Sequence, residues 1–468
     1  MSNSISRRKL LKAAPLAFAL GARSARAQSQ PPNILYIMAD DLGYADVSCY
    51  GRPDYSTPNI DSIAAGGMKF TQAYANSAVC SATRTALITG RYQYRLAVGL
   101  EEPLGANRSL GLPPSHPTLP SLLKKVGYST TLLGKWHLGY LPDFGPLKSG
   151  YDHFWGFRGG GVDYYTHKSG GPNTNTGDLW DDDTNITQAG YLTDLLGDRA
   201  VKVVTDYAKA KQPFLLSLDF NAPHWPWEAL GDEAESQRIR ALTDYDGGSA
   251  ATFAGMVTRM DLQIGRVLKT LETEGIANNT VVVFTSDNGG ERYSDVWPFT
   301  GRKGDLLEGG LRIPAVVRWP GHIPAGITTE QVAVTMDWLP TFLAFAGASP
   351  DPAYPLDGMS LAPALTQSGQ PVSRKLFWRY NANAQRAMRD GDMKYLKLNE
   401  NTFLFNVVAD PLERANLKGR QPDVFNRLAA DWEAWNKAML PDDPARANVR
   451  MWYADQVADH YDSKRRLQ

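Results

Sequence analysis

The chain has 468 residues with 49 basic and 49 acidic side chains, and its only cysteines are Cys49 and Cys80. This charge balance lacks the basic footprint of a nucleic-acid binder, and two cysteines exclude a disulfide-rich scaffold. The length exceeds what one compact core usually supports, so a large domain with a smaller one attached is expected.

The first element is set aside before the rest is read for structure. Ser6-Arg7-Arg8-Lys9-Leu10-Leu11-Lys12 places two arginines before an apolar stretch running to Ala22, and Ala25-Arg26-Ala27 offers small residues for cleavage. Residues 1–27 therefore resemble a twin-arginine export signal, with the export machinery as partner and a periplasmic or secreted destination. A membrane anchor is the competing reading, but Lys12 interrupts the stretch, which is shorter than the roughly 20 residues a spanning helix needs. The mature form is expected to carry no membrane anchor. Losing Arg7, Arg8, Lys9, Lys12, Arg23 and Arg26, with no acid among these residues, leaves the mature chain six net negative charges. A Cys49–Cys80 bridge suits an oxidising destination, yet the surroundings of Cys80 point to chemistry that an oxidised sulfur would block.

Next come short apolar runs alternating with segments of helical period. Ile34-Leu35-Tyr36-Ile37-Met38 leads into Asp40-Asp41. Thr57-Pro58 reads as the start of a helix that Gly66-Gly67 ends. Ser129-Thr130-Thr131-Leu132-Leu133 precedes Lys135-Trp136-His137, and a Gly- and Asp-rich stretch from Gly159 to Asp183 reads as a long loop. Phe214-Leu215-Leu216-Ser217-Leu218 leads to Asn221-Ala222-Pro223-His224, and Val281-Val282-Val283-Phe284 to Asp287-Asn288-Gly289-Gly290. The alternation predicts an α/β domain over residues 28–367, with a mostly parallel central sheet flanked by helices. After Ser368-Gly369-Gln370-Pro371 the character changes. Asp390-Gly391 is a turn signal between two strand-like segments, so residues 368–468 are expected to form a small α+β domain with an antiparallel sheet. Its last element would be an amphipathic helix from about Asp423 to Met439.

Open α/β sheets place ligands at the carboxyl ends of their strands, and here all four runs end in polar residues. Two ends are rich in carboxylates and two carry a cation or an imidazole, which suggests a metal beside an anion pocket. Each end alone reads equally well as a turn or helix cap, Asp-Asn-Gly above all; the combination is what carries weight. Oxygen ligands from Asp40, Asp41, Asp287 and Asn288 suit a hard cation, and a shell made mainly of protein oxygens favours calcium over magnesium. No H-x-x-x-H or C-x-x-C spacing is present to hold zinc.

In Val79-Cys80-Ser81-Ala82-Thr83-Arg84-Thr85-Ala86-Leu87-Ile88-Thr89-Gly90-Arg91, Cys80 and Arg84 are four apart and share one face of a helix. With Cys80 in the first turn, an anion would meet the positive end of the helix dipole, and Arg84 would offer a planar donor pair. A bare C-x-x-x-R reads as readily as a buried structural cysteine. This segment, however, resembles the type I sulfatase signature, C-x-P/A-x-R followed by a leucine-rich stretch and T-G-R. The resemblance continues in Ala39-Asp40-Asp41-Leu42-Gly43-Tyr44, Thr57-Pro58-Asn59-Ile60-Asp61, Gly134-Lys135-Trp136-His137-Leu138-Gly139, Gly301-Arg302-Lys303-Gly304 and Glu308-Gly309-Gly310. Where many members have proline, this chain has Ala82.

What the resemblance implies is a formylglycine-dependent sulfatase of the alkaline phosphatase-like superfamily. A maturation enzyme would convert Cys80 to formylglycine, whose hydrate supplies the nucleophile and one metal ligand. Asp40, Asp41, Asp287 and Asn288 would complete a calcium site. Arg84 and Lys135 would stabilise the hydrate and sulfate, His137 would accept a proton during sulfate release, and Lys303 and His224 would bind sulfate and assist the leaving oxygen. The substrate would be a sulfated small molecule or glycan. Phosphate or phosphonate monoester hydrolysis on the same scaffold, and sulfated-glycan binding without catalysis, are the alternatives. Trp225 and Trp227, beside His224, suit either stacking on a leaving group or apolar packing.

Overall fold

The computed structural model describes residues 31–169, 176–239, 247–366 and 371–442; the expected export signal lies outside them, as does the expected domain boundary at 367/368. Each of the four apolar runs is a strand slightly longer than its apolar core: Asn33–Ala39, Ser129–Lys135, Phe214–Asp219 and Thr280–Ser286. These four lie parallel at the centre of a ten-stranded sheet. The order across it is Ile327–Thr329, Met68–Phe70, Ala315–Arg318, Thr280–Ser286, Asn33–Ala39, Phe214–Asp219, Ser129–Lys135, His153–Phe157, Leu179–Asp181, Thr184–Ile186.

Strand side chains alternate between faces, and here both faces are buried. Leu35 and Ile37 join Leu216, Leu218, Val282 and Phe284 against the helices Leu192–Ala210 and Ala250–Thr273. Ile34, Tyr36 and Met38 join Leu215, Val281 and Val283 against Cys80–Thr89, Leu119–Lys124 and Trp338–Ala346. Burying one such side chain is worth about 1.5–3 kcal/mol, so this scaffold holds the polar loops at the strand ends without needing their help.

Thr57-Pro58 does open a helix, Pro58–Ala65, with Gly66 at its end. The Thr57 hydroxyl does not cap that helix; it accepts from the Ser48 amide at 2.9 Å. The expected loop from Gly159 to Asp183 is partly sheet. Leu179–Asp181 pairs antiparallel with His153–Phe157 and turns at Asp182 into Thr184–Ile186, extending the main sheet. A three-residue strand flanked by turn residues has too little periodicity to register in sequence. Both cysteines are free.

At the C-terminal end, Lys375–Tyr380, Gln385–Asp390, Met393–Leu398 and Asn401–Asn406 form a sequential antiparallel sheet, with Gly391 at φ 58° in the expected hairpin. The last helix among the described residues spans Pro422–Asn436, ending three residues before the expected Met439, and lays Leu428 and Trp432 on Met388, Tyr395 and Leu404. The other face of this sheet buries Trp378, Tyr380 and Leu396 with Tyr74, Val79, Ala82 and Tyr94. The Cys80–Thr89 helix is thereby wedged between the two sheets, and all of its residues are buried. Among the described residues, no helix is long and apolar enough to cross a membrane.

Candidate active site

The four strand ends converge. Asp40 and Asp41 leave Asn33–Ala39, Lys135 closes Ser129–Lys135 and is followed by His137, Asp219 closes Phe214–Asp219, and Asp287 and Asn288 follow Thr280–Ser286. Asp41 and His137 sit at φ 63° and 57°. A left-handed conformation costs a residue other than glycine about 1–3 kcal/mol, and such strain collects where side chains must be aimed at a site. Gly134, at φ 103°, lies so close to the Asp219 carbonyl that a Cβ would fall 1.8 Å from its oxygen. Only glycine lets the strand bend there and turn Lys135 inward.

The expected metal ligands come together. One atom each from Asp40, Cys80 and Asp287 lie within 4.8 Å of one another, as do one each from Asp40, Asp41 and His224. Asp40 Oδ1 and Asn288 Oδ1 are buried and accept no hydrogen bond among the described residues. Burial and the neighbouring Asp287 carboxylate push the Asp40 carboxyl well above its usual range. Unpartnered buried oxygens in a crowd of carboxylates are costly unless a cation is coordinated between them. The residues present therefore fit a hard cation, and the all-oxygen set of Asp40, Asp41, Asp287 and Asn288 suits calcium.

Cys80 is the first residue of its helix, and its Sγ marks where an oxygen on a modified residue 80 would lie. Sγ is 3.2 Å from His137 Nδ1, while His137 Nε2 is 2.8 Å from the Leu104 carbonyl. A carbonyl only accepts, so Nε2 carries the hydrogen and Nδ1 turns its lone pair toward residue 80. Burial, reinforced by Lys135, holds the His137 pKa well below its usual value, and the ring is a neutral base. His224 donates from Nδ1 to the Trp225 carbonyl at 2.5 Å and faces Asp41 Oδ2 with Nε2 at 3.6 Å. Burial lowers its pKa as well. Gly160 and Gly161 pack on these two rings: a Cβ on either would stand 2.8 Å from His137 Cε1 or 3.0 Å from His224 Cε1. Trp227 is buried against Tyr293, so it is packing, whereas Trp225 is half-buried beside His224.

The cations line the same space. Lys135 Nζ is 2.5 Å from Asp40 Oδ2, and Lys303 Nζ is 2.6 Å from Asp41 Oδ2. Arg84 donates to Asp287 Oδ2 at 2.9 Å and to Asp219 Oδ2 at 2.9 Å. All three are buried, so each charge acts with little water to screen it. The sequence reading passed over Asp219 and Glu291. Asp219 orients Arg84, and burial raises its carboxyl to about 7. Glu291 is raised by burial to about 8 and faces Lys303 and Asp41. Asp219 had a signal: it is the first charged residue after an apolar run, as Asp40 is after its own. Glu291 had none beyond its nearness to Asp287-Asn288.

The loop carrying His224 is anchored from behind. Tyr164 donates its hydroxyl to the His224 carbonyl at 2.9 Å and its amide to Glu228 Oε2 at 3.1 Å. Burial and the Asp163 carboxylate raise Glu228 from 4.5 to about 9. Between those values the folded chain holds a proton that the unfolded chain has released, so stability falls as pH rises through this window. Glu228→Gln removes that dependence. The variant's melting temperature should gain on the wild type between pH 5 and pH 8, and a constant difference across that range would show the carboxyl is ionised throughout.

Comparison with known proteins gives the family. The family model described as Sulfatase matches residues 32–348, and the one described as N-sulphoglucosamine sulphohydrolase, C-terminal, matches residues 302–431. The chain is 34% identical over 402 residues to N-acetylgalactosamine-6-sulfatase of Rattus norvegicus, covering 81% of this chain and 74% of that one. It is 32% identical over 448 residues to arylsulfatase A of Homo sapiens, covering 89% and 85%. The crystal structure of Ps i-CgsB in complex with k-i-k-neocarrahexaose superposes with a TM-score of 0.78 at 30% identity, covering 92% of this chain and 97% of that one. With a family model spanning most of the chain and relatives matched along nearly all of it, the chain belongs to the type I sulfatases of the alkaline phosphatase-like superfamily and is a sulfuric ester hydrolase.

Proposed function

We propose that the protein is an exported, calcium-dependent glycan sulfatase whose nucleophile is formylglycine made from Cys80 by a maturation enzyme. The observation that carries this reading is the position of Cys80, between the neutral Nδ1 of His137 and the carboxylates of Asp40 and Asp287. A structural cysteine has no use for a base on one side and metal-binding oxygens on the other. Calcium, held by Asp40, Asp41, Asp287, Asn288 and residue 80, would neutralise charge on the nucleophile and on the sulfate. The formylglycine hydrate would supply one hydroxyl to attack sulfur and a second whose deprotonation reforms the aldehyde and frees sulfate, so water need not attack sulfur.

The chain's own residues divide the remaining work. His137 takes the proton of the second hydroxyl at Nδ1, keeping its Nε2–H on the Leu104 carbonyl. Arg84 and Lys135 hold negative charge at residue 80 and on the sulfate. His224 and Lys303 bind sulfate from the opposite side and provide for the leaving oxygen, which departs as an alcohol once protonated. Relatives named for a sugar sulfate, and a structural neighbour holding a neocarrahexaose, support a glycan as the alcohol. Arg7-Arg8 supports a twin-arginine route to the periplasm or beyond, and residues 28–367 and 368–468 are the proposed catalytic and C-terminal parts.

The test uses purified protein with aryl sulfate, aryl phosphate and a phosphonate monoester, then a panel of sulfated glycans, alongside mass spectrometry of the peptide holding residue 80. Turnover selective for sulfate, with residue 80 converted to the aldehyde, is expected. Fully active protein with only unmodified cysteine would overturn the mechanism. Faster turnover of phosphate or phosphonate would reassign the substrate class, and binding of a sulfated glycan without turnover by fully modified protein would make the chain a binding protein.

A further inference from the structure

The arm that carries Lys303 is fastened to the C-terminal sheet and to the loop that follows it. Thr300 donates its hydroxyl to the Leu412 carbonyl at 2.8 Å, and the Glu308 amide donates to Glu413 Oε2 at 2.6 Å. Between them, the side-chain amide of Gln385 grips the turn itself. Its Nε2 donates to the Gly304 carbonyl at 2.8 Å, and its Oε1 accepts from the Leu306 amide at 2.8 Å. Gln385 opens the second strand of the C-terminal sheet and is buried. The same turn reaches both halves of the chemistry: the Lys303 amide donates to the Gly290 carbonyl beyond Asp287-Asn288, and the Gly304 amide to the Ala78 carbonyl ahead of Cys80, at 3.0 and 2.9 Å.

From this geometry we infer that Gln385 is a positioning residue for catalysis, through which the C-terminal sheet sets where Lys303 Nζ stands relative to residue 80. The inference rests on the role proposed above for Lys303. Lysine has a long, flexible stem, so its charge is aimed only if its backbone is fixed. Lys303 is absent from the central parallel strands that carry Asp40, Lys135 and Asp287; its turn is tied to their loops by single main-chain bonds and to the C-terminal sheet by a bidentate side chain. One amide group satisfying a carbonyl and an N–H two residues apart fixes both the position and the tilt of that turn.

The test is a double-mutant cycle on the mature, calcium-loaded enzyme with Gln385→Met, Lys303→Ala and both together, assayed with an aryl sulfate of good leaving group and a sugar sulfate of poor one. Misplacing a catalytic group by about 1 Å costs on the order of 100-fold, so Gln385→Met should lower kcat by about 10- to 100-fold on the sugar sulfate. The loss should be smaller on the aryl sulfate and KM little changed, because an ill-placed Lys303 hurts most where the leaving oxygen needs help. In the Lys303→Ala background the same change should cost less than about 2-fold, since its target is gone. Bound calcium, formylglycine content and melting temperature are measured for each variant. Equal losses in both backgrounds, or no loss with Lys303 present, would overturn the inference while leaving the proposed chemistry intact. Near-normal turnover in Lys303→Ala would instead remove the role of Lys303, and the inference with it. If Gln385→Met does not fold, Gln385→Glu, which keeps the acceptor for Leu306 and loses the donor to Gly304, carries the same cycle.

Discussion

Cys80→Ala is expected to abolish turnover, with kcat falling by at least about 10⁴-fold, while the protein still folds. Loss should be this large because residue 80 supplies the nucleophile and cannot be bypassed by the groups around it. His137 would face a methyl group where it now faces Sγ at 3.2 Å, and Arg84, Lys135 and Lys303 would still bind the anion. Retention of the fold follows from the packing of the helix. Its wedge between the two sheets depends on Val79, Ala82, Ala86, Leu87 and Ile88, none of which changes, and loss of one sulfur costs on the order of 1 kcal/mol. The readouts are turnover on an aryl sulfate and the thermal unfolding midpoint. Residual activity within about 100-fold of wild type would mean that another group attacks sulfur.

Most of this site was legible because the fold puts its chemistry where apolar runs stop. A strand buried on both faces has to be largely apolar along its length, so the first charged residues after Met38, Leu133 and Phe284 mark the edge of the core. In a parallel sheet those edges share one side. Asp40, Lys135 and Asp287 were therefore readable as neighbours although about 100 to 250 positions separate them in the chain. The tautomer of His137 was not readable. It is fixed by the Leu104 carbonyl, a main-chain atom on a loop with no periodicity. Nor was the grip of Gln385 on Gly304 and Leu306, because a glutamine at the start of a strand looks like any solvated polar residue until the loop opposite is in place. The strand Leu179–Asp181 was hidden for a related reason: it is short, and Trp180 is held by the Arg158 guanidinium at 4.3 Å, a partner remote from the local pattern.

Asp287→Ala and Lys303→Ala should both disable the enzyme, but in ways that separate the metal from the anion pocket. Loss of partners behind a metal typically lowers affinity about 10- to 100-fold, and loss of a direct ligand should exceed that. Asp287→Ala is therefore expected to leave the purified protein short of calcium. Excess calcium should restore only part of its activity, because Asp287 also accepts from Arg84 at 2.9 Å and from the Asp41 amide at 3.2 Å. Arg84 would keep Asp219 and swing toward it, spoiling its aim at the sulfate. Lys303→Ala should keep its calcium, since Lys303 is no ligand, yet lose about 100- to 1,000-fold in kcat, the scale seen when one preorganised group loses its grip on transition-state charge. Removing Lys303 also leaves Asp41 without its nearest cation. Asp41 then pulls more firmly on a bound metal, so the variant should hold calcium at least as tightly as the wild type. Bound calcium and aryl sulfate turnover are measured for each variant, with formylglycine content checked so that poor maturation is not mistaken for lost chemistry. Normal calcium and turnover in Asp287→Ala would take that residue out of the metal site. A Lys303→Ala variant that loses calcium and is rescued by adding it would place Lys303 in support of the metal, away from the leaving oxygen.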